Sequence, residues 1–221
     1  MIHITEHKHG LKMTGFISIN TSVLKNPYCS TNRCDNKKIC SVCYGKYMSD
    51  RYPNLKKVLN SNYDILNKDL TIPEIDQIKK QLNRYNKRYI RLHSIGEISS
   101  IEMLSNYYEI VESLPGSIFA LWSKRSDIVQ SIHYKPDNLK LVYSNPYYDR
   151  PLNTIPEMFD SVFNVVTYGY AIKHKIKPNC NNQCIDCLKC YDQSGNIITE
   201  LIKADQTRIK KGTFKPIEVI L

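Results

Sequence analysis

Eight cysteines carry the most specific chemistry in this sequence, and they fall into two tight groups of four. Cys29, Cys34, Cys40 and Cys43 form a C-x4-C-x5-C-x2-C set, and Cys180, Cys184, Cys187 and Cys190 form a C-x3-C-x2-C-x2-C set. Four thiolates complete one tetrahedral ligand set, so two such groups point to two metal centres. Zinc sites usually join two C-x2-C knuckles across a longer loop. The x2-x2 rhythm of the second set instead suits a short loop wrapped around a cubane, close to ferredoxin spacing in reverse. Two [4Fe–4S] clusters are the expected cofactors, with zinc the alternative, most of all at the first set. Ferredoxin cysteines can serve a neighbouring cluster, so grouping in sequence leaves grouping in space open.

An even cysteine count also fits a disulfide framework. Against that, 221 residues can bury a core without covalent staples. The chain opens Met1-Ile2-His3-Ile4-Thr5-Glu6-His7-Lys8-His9, with no apolar leader, so a soluble protein of a reducing compartment is expected. No stretch approaches the roughly 20 apolar residues of a membrane span. The net charge is +10 and there are 16 tyrosines. That combination suits a nucleic-acid surface, where Lys and Arg neutralise phosphates and rings stack on bases. AT-rich codons would raise Lys, Asn, Ile and Tyr equally well without any partner, and bound clusters would lower the positive balance.

The elements that must position these cysteines follow from hydrophobic periodicity. Gly15–Asn20 alternates as a strand and runs straight into the first cysteine loop. Residues 53–69 and 73–86 read as helices, the second opened by Pro73 with Ile75, Ile78, Leu82 and Tyr85 on one stripe. Tyr89–His93 is the next strand. Ser99 stands three residues before Glu102, a capping-box spacing that predicts a helix to about Leu114. Strands at 117–122, 139–143 and 161–167 follow, with a short helix from Ser126 to about His133 between the first two. Alternating strands and helices predict an α/β fold of about five mostly parallel strands with crossover helices, with an incomplete (β/α) barrel as one form it could take. One domain over residues 1–221 is expected, with cysteine metal loops at 29–43 and 180–190 and a final helix or strand appended.

In a parallel sheet the working groups gather on loops after the strands' C-terminal ends. Those loops carry Cys29–Cys43, then His93–Glu97, Ser123-Lys124-Arg125, Ser144-Asn145 and Tyr168-Gly169. His93 and Glu97 are the candidate catalytic pair, and Gly96, Glu97 and Lys124 the candidate cofactor-binding residues. The bland alternative makes His93 and Glu97 satisfied rim residues and Lys124 and Arg125 ordinary surface cations. Trp122 reads as core rather than a stacking platform. His3, His7 and His9 resemble a loose metal cluster in a polar terminus, and Tyr147, Tyr148 and Arg150 form an aromatic–basic loop able to stack on a base. No phosphate-binding Gly-rich loop or nucleophile elbow is present.

A strand, a cysteine loop, a helix, a second strand and then Gly96-Glu97 resemble the opening of a radical S-adenosylmethionine (SAM) enzyme. That resemblance implies Cys34, Cys40 and Cys43 as ligands of a catalytic cluster, SAM as cofactor, Gly96-Glu97 against its amino group, and the second set around an auxiliary cluster. Cys29, as a fourth thiolate, would close the first cluster to SAM. A broader resemblance is carried by Cys43–Tyr47, Arg91–Glu97, Leu121–Arg125 and Cys184–Asp192, in that order. These segments are similar to the phage "gene product 88" family, in which Asp is usual where Glu97 stands. That resemblance implies a viral source, metal binding, and residence in the host cytoplasm or packaging in the virion. The expectation is a viral iron–sulfur protein, radical-SAM-like or redox-active, serving a small-molecule or electron-transfer partner. A basic, metal-stabilised module that binds nucleic acid is the rival.

Overall fold

A computed structural model describes residues 1–7, 12–180, 183–191 and 194–213. Seven strands form a single open sheet in sequential order: β1 (Ile4–Glu6), β2 (Ile17–Ile19), β3 (Tyr89–Leu92), β4 (Ile118–Ser123), β5 (Leu139–Ser144), β6 (Ser161–Val166) and β7 (Asn196–Leu201). β1 runs antiparallel to β2, and β2 to β7 are all parallel. The five predicted strands are therefore the centre of a larger sheet. β7 is paired with β6 along its whole length rather than appended, and β1 closes the opposite edge.

Strand alternation sorts side chains onto two faces. Ile17, Ile19, Ile90, Leu92, Phe119, Leu121, Leu139 and Leu141 face the main core. Against them pack α3 (Pro53–Leu66), α4 (Ile72–Asn83), α5 (Ile101–Glu112) and α6 (Ser126–Val129), through residues such as Leu66, Ile78, Leu104, Ile110 and Val129. Each fully buried Leu or Ile there contributes about 1.5–3 kcal/mol. The other face carries Phe16, Tyr89, Ala120, Trp122, Val142 and Phe163, covered by Met13, Leu188 and Tyr191. Helices protect one face and the C-terminal cysteine loop protects the other.

Local chemistry sets the helix starts. Pro73 lies in the first turn of α4, where Thr71 and Glu74 form a reciprocal capping box. The cap of α5 is Ser100, whose Oγ accepts from Met103 N at 3.2 Å, and not Ser99, whose hydroxyl turns to Asn67. No described helix is long and apolar enough to cross a membrane.

Candidate functional site

The parallel strands bring their C-terminal exits to one rim, and the first cysteine loop is built onto it. Cys29 lies in α1 (Pro27–Asn32), Cys40 in a short 3-10 turn (Ile39–Val42), and Cys43 caps α2 (Tyr44–Arg51). The exit of β3 is shaped by two backbone departures. His93 takes φ +63° while its N–H donates to Ile19 O at 2.9 Å, and the amides of Ser94 and Ile95 converge on Asn20 Oδ1. Gly96 has φ +131°, and a Cβ there would lie 2.3 Å from Thr21 Oγ1. That turn delivers Glu97 into the interior, 1% exposed.

The Glu97 carboxylate is heavily engaged. Oε1 accepts from Ser123 Oγ at 2.6 Å and from Ile98 N at 3.0 Å. Oε2 accepts from Lys124 N at 3.0 Å and lies 3.6 Å from Lys124 Nζ. Asn26 joins this clamp to the cysteines: Nδ2 donates to Glu97 O at 2.8 Å, while Oδ1 accepts from Cys29 N at 3.3 Å.

Cys29, Cys40 and Cys43 share this neighbourhood with Lys124. Burial pushes the Cys29 thiol well up, Glu97 adds to the rise, and Lys124 opposes it. Burial likewise raises Cys40 against the pull of Lys124. For Lys124 itself, burial favours the neutral form, but Glu97 and the three thiols outweigh it and its pKa rises. Cys34 lies beyond the end of α1 and is exposed, whereas Cys29 and Cys40 are buried and Cys43 half-buried. Cys34, which the radical-SAM resemblance implies as a ligand with Cys40 and Cys43, is the exposed member of the first set.

His93 sits beneath the rim. Its Nε2 is 2.8 Å from Tyr107 Oη and 3.2 Å from Thr21 Oγ1, and its Nδ1 is buried without a hydrogen-bond partner. Burial, then the charges of Lys124 and Arg91, lower its pKa to about 3. A neutral imidazole, 3% exposed, positions the turn. Arg125 is engaged by Asp127 and lies 5.2 Å from the Tyr28 ring. The aromatic–basic loop packs on the first cysteine loop: Tyr148 Oη donates to Asn36 O, and Lys38 and Arg150 both lie 5.6 Å from the Tyr147 ring. His7 Nε2 lies 2.9 Å from Ser18 Oγ, and His9 lies outside the described residues.

The second set occupies the sheet face opposite the helices. Cys180, Cys184, Cys187 and Cys190 all line one small cavity of about 30 Å³, with Arg91, Trp122, Phe163 and Tyr191. Lys12 also lines it, and Cys184 N donates to Lys12 O at 2.9 Å. Burial raises the Cys184 and Cys190 thiols, opposed chiefly by Lys12 at the former and Arg91 at the latter. Burial alone would lower Lys12, but Glu200 and the thiols of Cys180 and Cys184 raise it to about 12. Cys180, Cys184, Cys187 and Cys190 thus share one cavity, whereas Cys29, Cys40 and Cys43 are carried by α1, the 3-10 turn and the cap of α2.

All eight cysteines are free thiols. Their sulfur chemistry suits zinc or iron–sulfur, and each set has a cation at hand to offset thiolate charge. Among the described residues no three His, Cys, Asp or Glu side chains stand in ligating geometry, so binding a metal requires the thiols to turn inward. Spacing alone did not reveal Asn20 and Asn26, which build the rim with Ser123, or Arg91, Lys12 and Tyr191, which flank the second set. An arginine inside an otherwise apolar strand was the one available signal.

The model of the family described as Gene product 88 matches residues 4–193, a span that includes both cysteine sets. The chain belongs to the Gene product 88 family. No curated protein and no solved structure matches. In this Gene product 88 protein the matched region ends before β7, so the strand completing the sheet beside the second cysteine loop lies outside it.

Proposed function

We propose that this protein is a viral iron–sulfur protein with two cysteine-ligated centres. Cys29, Cys40 and Cys43 would hold the first, and Cys180, Cys184, Cys187 and Cys190 the second. The observation that carries this reading is that Cys180, Cys184, Cys187 and Cys190 line one cavity together with Arg91 and Lys12, while Lys124 stands paired with buried Glu97 at the rim. Such cations lower the cost of placing several thiolates in a half-buried site. Bound clusters would supply one-electron chemistry. Around them the chain's own residues hold the rim in place, with Glu97 fixing Lys124 and His93 fixing the turn.

A redox role for a small-molecule or electron-transfer partner leaves the Glu97 clamp as it stands. A radical-SAM-like role would leave one coordination position for SAM, and Glu97 would have to serve its amino group while already holding Ser123 and Lys124. The test is incubation of the anaerobically reconstituted protein with SAM and dithionite. The redox reading expects a reducible protein that leaves SAM intact, and release of 5′-deoxyadenosine would replace it with the radical reading.

A nucleic-acid module is the second reading, favoured by the +10 charge and by exposed Tyr47 and Tyr52 beside Arg51 on and after α2, where Tyr44 is exposed as well. It expects binding to single-stranded DNA or RNA that weakens steeply with salt. Binding absent at low salt removes it. Residence in the host cytoplasm, or packaging in the virion, accompanies the viral assignment.

A further inference from the structure

The second cysteine cavity is unusual for what its walls lack. Trp122 Nε1, Tyr191 Oη and Arg91 Nε are all buried without a hydrogen-bond partner. Buried polar atoms are nearly always paired, and an orphan is costly. These three belong to residues that line one cavity, and all three are donors. Their positions are fixed by packing. Arg91 projects from β3, with its guanidinium carbon 3.4 Å from the centroid of the Trp122 ring on β4. Tyr191 follows Cys190 directly, is 1% exposed, and packs among Phe16, Tyr89 and Trp122 at 4.9, 5.5 and 6.0 Å between ring centroids.

We propose that Arg91, Trp122 and Tyr191 form a hydrogen-bond donor shelf for the sulfurs of the C-terminal metal centre. The inference rests on the reading that Cys180, Cys184, Cys187 and Cys190 bind metal. A divalent ion or a cubane held by four thiolates carries net negative charge, the acceptor these donors lack. Lys12, tied to Glu200 in an ion pair, offsets charge without joining the shelf. Outer-shell donors of this kind orient ligands and strengthen metal binding. Arg91, Trp122 and Tyr191 are positioning residues; the cysteines remain the ligands.

The test uses anaerobic cobalt(II) binding to the metal-free, full-length protein in a Cys40→Ser background, in competition with a chelator and read by thiolate charge-transfer absorption. Tyr191→Phe deletes only the hydroxyl, and Trp122→Phe keeps a ring beneath Arg91. Each is expected to weaken cobalt binding roughly 10–100-fold, while the thermal midpoint of the metal-free Tyr191→Phe protein stays unchanged. Unchanged affinity in both variants overturns the shelf while leaving the metal site in place. If the background protein shows no thiolate band, or keeps it after Cys184→Ser and Cys187→Ser, the metal reading itself fails and the shelf fails with it.

Discussion

Glu97 holds Lys124 twice, accepting its backbone N–H at 3.0 Å and facing its ammonium at 3.6 Å, so the exits of β3 and β4 are locked by one buried carboxylate. After Glu97, the thiols of Cys40, Cys29 and Cys43 also raise the pKa of that ammonium, against its burial, and Asn26 ties Glu97 O to Cys29 N. Backbone geometry, a buried ion pair and the first cysteine group are thereby one unit.

Removing that carboxylate should loosen the rim. Glu97→Ala strands Ser123 Oγ, two amides and the Lys124 ammonium, and should cost about 3–5 kcal/mol of stability. Glu97→Asp, one methylene shorter, should lose part of the clamp and fall between. Urea unfolding checks both. A loss for Glu97→Ala below about 1 kcal/mol, as for a surface pair, would show the clamp to be incidental.

Gly96→Ala should be nearly as damaging for a different reason. Its φ of +131° is strained for any L side chain, and the new Cβ would meet Thr21 Oγ1 and lie 3.1 Å from Thr21 N. A cost of about 1–3 kcal/mol is expected from strain, together with weaker metal retention at the first set because the turn carries Glu97. Wild-type stability would mean that the turn relaxes freely.

His93 gives the protein an acid-sensitive stability. Its folded pKa of about 3 lies below its ordinary 6.5, so between those values the unfolded chain binds a proton that the folded chain refuses. This contribution is complete above pH 6.5 and is lost as pH falls toward 3, at about 1.4 kcal/mol per pH unit. His7, also lowered chiefly by burial, acts in the same direction. Urea titrations from neutral to mildly acidic pH should show a shallower slope in His93→Gln, and an identical slope would contradict the assignment.

Cys34 should be the dispensable member of the first quartet. Cys34→Ser is expected to keep the metal at the rim, whereas Cys29→Ser, Cys40→Ser and Cys43→Ser are expected to lose it. In the metal-loaded wild type a thiol reagent should label Cys34 first, as the exposed cysteine of the set. Metal loss in Cys34→Ser with retention in Cys29→Ser would reverse the ligand assignment.

The central strands were legible because apolar residues alternate through them, as at Ile17 and Ile19 or Phe119 and Leu121, and the helices between them because Ile75, Ile78 and Leu82 recur at helical spacing. β1 escaped notice because it is three residues long in a polar terminus, and β7 because Ile197, Ile198, Thr199 and Glu200 do not alternate. Six-residue α1, at the start of the cysteine loop, and mostly polar α2, directly after it, escaped notice for similar reasons. Spacing could not say which cysteines are buried: α1 buries Cys29 and ends before the exposed Cys34. Glu97, His93 and Lys124 were drawn to one place by the parallel-strand argument. Their engagement with Ser123, Tyr107 and one another depends on tertiary contacts that no local pattern encodes.

The most direct measurement is metal and acid-labile sulfide content of full-length protein purified without oxygen, in the wild type and in Cys40→Ser and Cys187→Ser. Two cysteine-ligated clusters predict iron and sulfide in equal amounts, with each substitution removing about half of both. Protein free of metal and sulfide, or metal that survives both substitutions, would contradict the two-centre assignment.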